Sequence, residues 1–445
     1  MNAREGAGQT PTRLPREFLD RFTQPFVRFL AIEAAASVLL LVSVVAALIL
    51  SNSPWAEPFL QFWEMRVGLQ IGSWELARSL RDWINDGFMT FFFFLVSLEL
   101  KRELVLGGLR NPRMASLSIA AALGGMLAPA AFYLVVEAGQ PGQHGWGTVM
   151  ATDTAFVIGC LAALGSRIPQ SLRLFMLSLA IIDDIGAIIV VALGYSHDFV
   201  WAALAIAALG LLVVYAMARM GFRAFPVYFL AGAGIWAAVD ASGIHATVTG
   251  VILGLMTPAR RWVSDDRLYA ILSQVVAHPG GQEGSGDTRN RGTLQAAEIA
   301  ARESLSPVER LEIALHPWVG FVIMPLFALA NAGVTLSLDE LDVSIVAAIV
   351  FGFVIGKPLG VLSLAWLAVR LGIASLPPGL SWAALAGGGL LAGIGFTMAL
   401  FIANLAFAEA LLGSAKVGIL TASIVAAITG LTLLAKVGRP APPGR

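Results

Sequence analysis

Between about Leu172 and Gly194 the chain is apolar for long enough to cross a bilayer as a helix, yet it holds two adjacent aspartates: Ile181-Ile182-Asp183-Asp184-Ile185-Gly186. A carboxylate at bilayer depth costs at least about 2.5–3.5 kcal/mol, and two neighbours repel each other as well. A chain keeps such a pair only where a cation, a proton, or both in turn, compensate it. The feature points to a helical membrane protein that moves ions.

The composition agrees, with 57% hydrophobic and 13% charged residues, against about 25% charged in soluble domains. Apolar runs predict an all-α polytopic membrane protein with twelve spans, at 31–50, 84–100, 114–136, 147–165, 172–194, 200–218, 225–239, 244–257, 313–335, 344–369, 382–408 and 415–435. They form one transporter domain, 30–436, between polar tails 1–29 and 437–445. The first run is long enough to stay as an anchor, and no cleaved signal peptide is expected. With both termini cytoplasmic, 24 of the 29 Lys and Arg fall on the cytoplasmic side. Only Arg66, Arg78, Arg81 and Lys416 fall outside, and Lys357 is within a span. A miscounted span would scramble that asymmetry. Lys plus Arg equals Asp plus Glu, so net charge gives no pointer to a nucleic-acid partner. The lone Cys160 excludes an intrachain disulfide and a cysteine metal site.

Two connections are long. In 51–83 the stretch Met65-Arg66-Val67-Gly68-Leu69-Gln70-Ile71-Gly72 alternates apolar and polar residues, the pattern of a small hairpin outside the membrane. The cytoplasmic connection 258–312 contains the polar, glycine-rich Pro279–Asp287, a flexible insert by composition.

Charged residues recur at membrane depth. Asp153 opens the fourth run within Ala151-Thr152-Asp153-Thr154-Ala155, and Lys357 is central in the tenth within Gly356-Lys357-Pro358-Leu359-Gly360. Helix neighbours point roughly 100° apart, so Asp183 and Asp184 face different surroundings, one toward a cation site and the other toward Lys357. A lone buried Asp–Lys pair can also be a structural brace. Three acids against one base cannot be only that, because some carboxylate is left to a proton or a cation. Gly393 and Gly395 weaken the eleventh run, although small residues also serve close helix packing. Thr152 and Thr154 compete for backbone bonds in the fourth. Breaks in two spans from opposite halves mark a transporter's midplane site. At the end of the second run, Glu99 and Glu103 share a helix face beside Lys101 and Arg102, either as a solvated helix end or as a pH-responsive mouth.

Together these segments resemble the NhaA family of Na⁺/H⁺ antiporters. The matching stretches are Trp83-Ile84-Asn85-Asp86-Gly87, Glu99-Leu100-Lys101-Arg102-Glu103, Ala151-Thr152-Asp153, Asp183-Asp184 and Gly243-Ile244-His245-Ala246-Thr247, followed by Leu315-His316-Pro317-Trp318, Gly356–Gly360 and Gly393-Ile394-Gly395-Phe396-Thr397-Met398. The resemblance runs in order from about residue 25 to 435. It implies inverted repeats with crossed, broken fourth and eleventh helices in a bacterial inner-membrane protein. It also implies electrogenic exit of Na⁺ or Li⁺ against entering protons, with no cofactor. Asp184 and Asp183 would be the ion-site carboxylates and Thr152 a further oxygen ligand. Asp153 and Lys357 would balance the helix ends at the crossing, and Asp183 or Lys357 would carry a second proton. Glu99, Arg102, Glu103, Glu312 and His245 fall on positions linked to pH response, and Asp86 on the outer funnel. A homodimer would form through the hairpin. The insert at 279–293 and the long N-terminal tail depart from the family pattern without touching these motifs.

The competing readings are weaker. An intramembrane aspartyl protease needs two aspartates sharing a proton across separate helices. Lys357 opposes that, and no Gly-x-Gly-Asp lies within an apolar run. A channel lacks a repeated pore segment. A sodium-coupled symporter of related architecture is separated only by the direction of coupled flux.

Overall fold

The computed structural model describes residues 33–71, 74–105, 107, 112–195, 199–222, 225–260, 263–276, 288–335 and 341–437. The tail 1–29, the stretch Pro279–Asp287 and residues 438–445 lie outside them.

The described chain is almost wholly helical. The helices are α1 (Glu33–Ser51), α2 (Ala56–Glu64), α3 (Leu80–Val105), α4 (Pro112–Val136), α5 (Thr154–Ala163), α6 (Gln170–Gly194), α7 (Trp201–Arg219), α8 (Phe225–Ala241), α9 (Val248–Met256), α10 (Asp265–Val276), α11 (Thr288–Glu303), α12 (Pro307–Asn331), α13 (Val343–Arg370), α14 (Trp382–Ala392), α15 (Phe396–Ala406) and α16 (Glu409–Val437). Seven are long and apolar enough to cross a membrane, and up to ten spans result if each of three bent pairs counts as one. The twelve expected runs all carry helix. Those that fall short of a span by length are the seventh and eighth, on α8 and the nine-residue α9.

Two of the bent pairs are interrupted runs. The 3₁₀ segment Pro141–Val149 meets α5 at 48°, and α14 meets α15 at 45°. The third pair turns 115° from α1 into α2. The sequence reading placed no helix at α2; Trp63 on it is buried and packs edge-on against Phe59 and Phe62. Strands β1 (Arg66–Ile71) and β2 (Trp74–Ser79) follow, paired antiparallel from Arg66↔Ser79 to Ile71↔Trp74. The 258–312 connection carries α10 and α11, which pack on each other. Among the side chains described on α11, Ala297 and Ala300, three apart and so on one helix face, are the buried ones.

Besides α7 on α8, the helix pairs that pack most extensively fall into two sets. In one, α3 lies against α9 and α12, and α12 against α1. In the other, α4 lies against α13 and α6, while α16 lies against α13, α14 and α15. The closest contact is α4 on α13. A Cβ on Gly124 would come within 2.0 Å of the Gly360 carbonyl oxygen, and a Cβ on Gly360 equally close to that of Gly124. Paired glycines let two backbones touch where lipid supplies no hydrophobic drive between helices. That contact brings Lys357, one turn before Gly360, into the interior, where it is fully buried.

Candidate functional site

The two interrupted runs meet at their breaks. Asp153 sits between the 3₁₀ segment and α5. Its backbone is extended, and one carboxylate oxygen accepts from the Phe156 amide at 3.1 Å, so it caps α5. The other oxygen accepts from the Thr397 amide at 3.0 Å and from the Thr397 hydroxyl, in the first turn of α15. The Asp153 amide donates to the Ile394 carbonyl at 2.7 Å. One carboxylate therefore faces the positive N-terminal ends of two half-helices, which favours its charge. Lys357 faces the opposite pole: its ammonium donates to the Met150 carbonyl, at the end of the 3₁₀ segment, where backbone carbonyls are left over.

Helix α6 presents the aspartate pair. Its buried residues recur every three or four positions from Leu172 through Phe175, Leu179 and Asp183 to Ala187 and Val191, with Asp184 beside them. Asp183 Oδ2 lies 3.1 Å from Lys357 Nζ and 2.7 Å from the Thr152 hydroxyl, which is also 3.0 Å from the Ala392 carbonyl oxygen. Asp184 turns elsewhere, and its Oδ2 accepts from the Thr154 hydroxyl at 3.1 Å. Asp183 Oδ1 and Asp184 Oδ1 are buried without a hydrogen-bond partner among the described residues. A buried acceptor left open costs about 1–3 kcal/mol, more when charged, so these oxygens are where a proton or a cation is worth most. Among the described residues no three acidic, histidine or cysteine side chains gather to hold a metal ion. The available ligands are carboxylate, hydroxyl and backbone carbonyl oxygens, a set suited to a hard cation.

Gly393 and Gly395 flank the second break, and the reason is space. A Cβ on Gly393 would lie 2.6 Å from the Phe353 carbonyl oxygen, and one on Gly395 would lie 2.2 Å from the Phe353 ring. Phe353 belongs to a π-helical stretch of α13, Gly352–Gly356, immediately before Lys357. Close packing and the break thus occur together at the same glycines.

The remaining candidates fall in separate places. Arg102 on α3 pairs with Glu312 on α12 and lies 3.4 Å from Glu103. Glu312 is 8% exposed, with its second oxygen unpartnered among the described residues. Glu99 is one turn deeper on α3. His245 is not part of that group. Its Nε2 lies 3.1 Å from the carbonyl oxygen of Tyr195, the C-cap of α6. Asp86 pairs with Arg78 of β2 at 2.7 Å, and the same guanidinium reaches Asp240 on α8. From the sequence, Arg78, Asp240 and Thr397 carry no site role, and Thr154 stands out only as weakening the fourth run. Thr154 and Thr397 lie within quoted motifs, but nothing local shows that their hydroxyls turn to Asp184 and Asp153.

Residues 27–434 match the family model described as Na+/H+ antiporter 1. The chain is 60% identical over 431 residues to Na(+)/H(+) antiporter NhaA of Rhizobium meliloti (strain 1021), covering 96% of this chain and 99% of the relative. It is 59% identical over 426 residues to Na(+)/H(+) antiporter NhaA 2 of Acidiphilium cryptum (strain JF-5), covering 96% and 95%. Against Na(+)/H(+) antiporter NhaA 2 of Vibrio vulnificus (strain CMCP6), identity is 54% over 423 residues, covering 95% of each. With the match extending across both broken helices and the aspartate pair, the chain belongs to the Na⁺/H⁺ antiporter 1 family.

Proposed function

We propose that this protein exchanges Na⁺ or Li⁺ for protons across a bacterial inner membrane, exporting the metal ion as protons enter. The observation that carries the reading is the open oxygen of Asp184, buried beside two broken helices. The names borne by relatives at 54–60% identity support the same exchange. Burial favours the protonated carboxyl, and a neighbouring carboxylate favours it further. Na⁺ and a proton then displace each other at one place. If the carrier turns only when that place is filled, the two fluxes are coupled. More protons than sodium ions cross per cycle, so exchange is electrogenic.

In this reading Asp184 is the primary cation carboxylate. Thr154, whose hydroxyl donates to Asp184, supplies a neutral oxygen beside it, while the Thr152 hydroxyl is engaged with Asp183. Asp183 alternates between Lys357 and the ion, and either of those two carries the second proton. Asp153 and Lys357 neutralise the helix poles at the crossing. The Glu99–Arg102–Glu103–Glu312 group and His245 set the pH response from opposite ends, and Asp86 lies toward the outer funnel. We place twelve spans in one domain with both termini cytoplasmic, and dimerisation through the β1–β2 hairpin outside.

The test is flux in proteoliposomes. Saturable Na⁺-driven proton movement in the opposite direction is expected; movement of both ions in one direction indicates a symporter, and non-saturating conductance a channel. Thr154→Val, which removes one hydroxyl and little volume, is expected to raise the KM for Na⁺ roughly threefold to tenfold, about the net worth of one ordinary hydrogen bond. An unchanged KM excludes Thr154 as a ligand. Lys357→Ala is expected to shift the pH profile or the charge moved per cycle. If both are unaltered, Lys357 acts only as a brace.

A further inference from the structure

Three asparagines meet near the ends of α3, α12 and α15 that the proposed topology places outside. Asn331 Nδ2 donates to Asn85 Oδ1 at 2.8 Å and lies 3.0 Å from the Phe327 carbonyl oxygen. Asn331 Oδ1 accepts from Asn404 Nδ2 at 3.1 Å and from Asn85 Nδ2 at 3.4 Å. Asn331 is fully buried. One turn further in along α12 and α15, and two turns along α3, the same helices bring Phe327, Phe401 and Phe93 together. Ring centroids are 5.4 Å apart for Phe93 and Phe401 and 6.3 Å for Phe327 and Phe401, and all three side chains are buried. One turn further still along α15, Thr397 holds Asp153. An amide layer, an aromatic layer and the ion site therefore follow in order along one half-helix.

The amide layer joins the two packing sets. Asn85 and Asn331 lie on α3 and α12, which pack together. Asn404 lies on α15, which packs chiefly on Pro141–Val149 and α16, the elements around the site. Moving the site-bearing set past the other breaks the Asn404–Asn331 bond and keeps the Asn85–Asn331 bond. Asn85 also sits in a π-helical stretch of α3, Trp83–Phe88, a feature frequent at functional positions. A buried amide such as that of Asn331 is costly unless partnered, so it favours one docking geometry over slid alternatives.

We propose that the Asn331–Asn404 bond is an external latch, which holds the outer route shut above the Phe93–Phe327–Phe401 layer and opens once per exchange cycle. The proposal rests on the antiport reading, and makes Asn404 and Asn331 positioning residues for it. Loosening the latch shifts the carrier toward the outward-open form, and the apparent affinity at each face scales with the fraction of carrier open to it.

The experiment measures KM for Na⁺ supplied from each face in oriented proteoliposomes. For Asn404→Leu, KM is expected to rise at the cytoplasmic face and fall at the external face, each by about twofold to tenfold. Asn85→Leu, which breaks a bond inside one set, is expected to lower thermal stability and leave the ratio of the two KM values unchanged. A merely structural role for Asn404 lowers the amount of active carrier without moving that ratio, and this result overturns the latch. Should Asn404→Leu fail to accumulate, Asn404→Ala gives the same readout. Absence of exchange in the unaltered protein sinks the antiport reading itself, whereas normal exchange with an unmoved ratio sinks only the latch.

Discussion

Asp184→Asn is expected to abolish Na⁺-driven proton movement, with a loss of a hundredfold or more, while folded protein accumulates normally. The amide keeps the shape of the carboxyl and an oxygen that can accept from the Thr154 hydroxyl, now 3.1 Å from Asp184 Oδ2. It loses the charge that a cation needs and the group that a proton titrates. Competition between the two ions at one carboxylate then has no place to occur. Everted vesicles carrying the variant should give no sodium-dependent change in the interior proton gradient at any pH. Exchange at the normal rate would remove Asp184 from the mechanism and leave Asp183, with its own unpartnered oxygen, as the carrier.

Asp153→Leu is expected to cost the folded protein itself. Asp153 accepts from the Phe156 amide, the Thr397 amide and the Thr397 hydroxyl, and is only 1% exposed. Stranding buried donors costs about 1–3 kcal/mol each, a large share of a net stability of about 5–15 kcal/mol. The two half-helix ends would also lose the charge that complements them. The measurement is the amount and melting temperature of monodisperse protein in detergent. Asp153→Asn, which retains one acceptor oxygen, is expected to lie between Asp153→Leu and the unaltered protein. A normal melting temperature for Asp153→Leu would show that the crossing holds together without its cap.

Much of this was legible along the chain, for identifiable reasons. Hydropathy located the long helices because burial in lipid demands unbroken apolar length, and it faltered at α8 and α9, where the runs are short. The alternation at 65–72 marked a strand because its period is two. The apolar spacing of Phe59, Phe62 and Trp63 did not reveal α2, since nine residues inside a long connection give little periodicity to read. Charge at membrane depth flagged Asp153, Asp183, Asp184 and Lys357, because each is expensive there. Thr154, Thr397, Arg78 and Asn331 carry no such cost, and nothing local marked the partners they meet.

The sequence by itself determined that this is a multi-pass helical membrane protein, that two of its runs are weakened, and that adjacent aspartates must face different surroundings. Those follow from local quantities: apolar length, backbone propensity and the 100° step between helix neighbours. Only the tertiary structure decided which aspartate meets Lys357, that Asp153 caps both half-helices at once, and that Gly393 and Gly395 clear room for Phe353. Each of these depends on a contact between residues 40 to 244 positions apart in the chain. Such contacts are fixed by how whole helices dock, through close approaches like Gly124 on Gly360. Docking depends on the packing of many side chains together, and no local pattern records it.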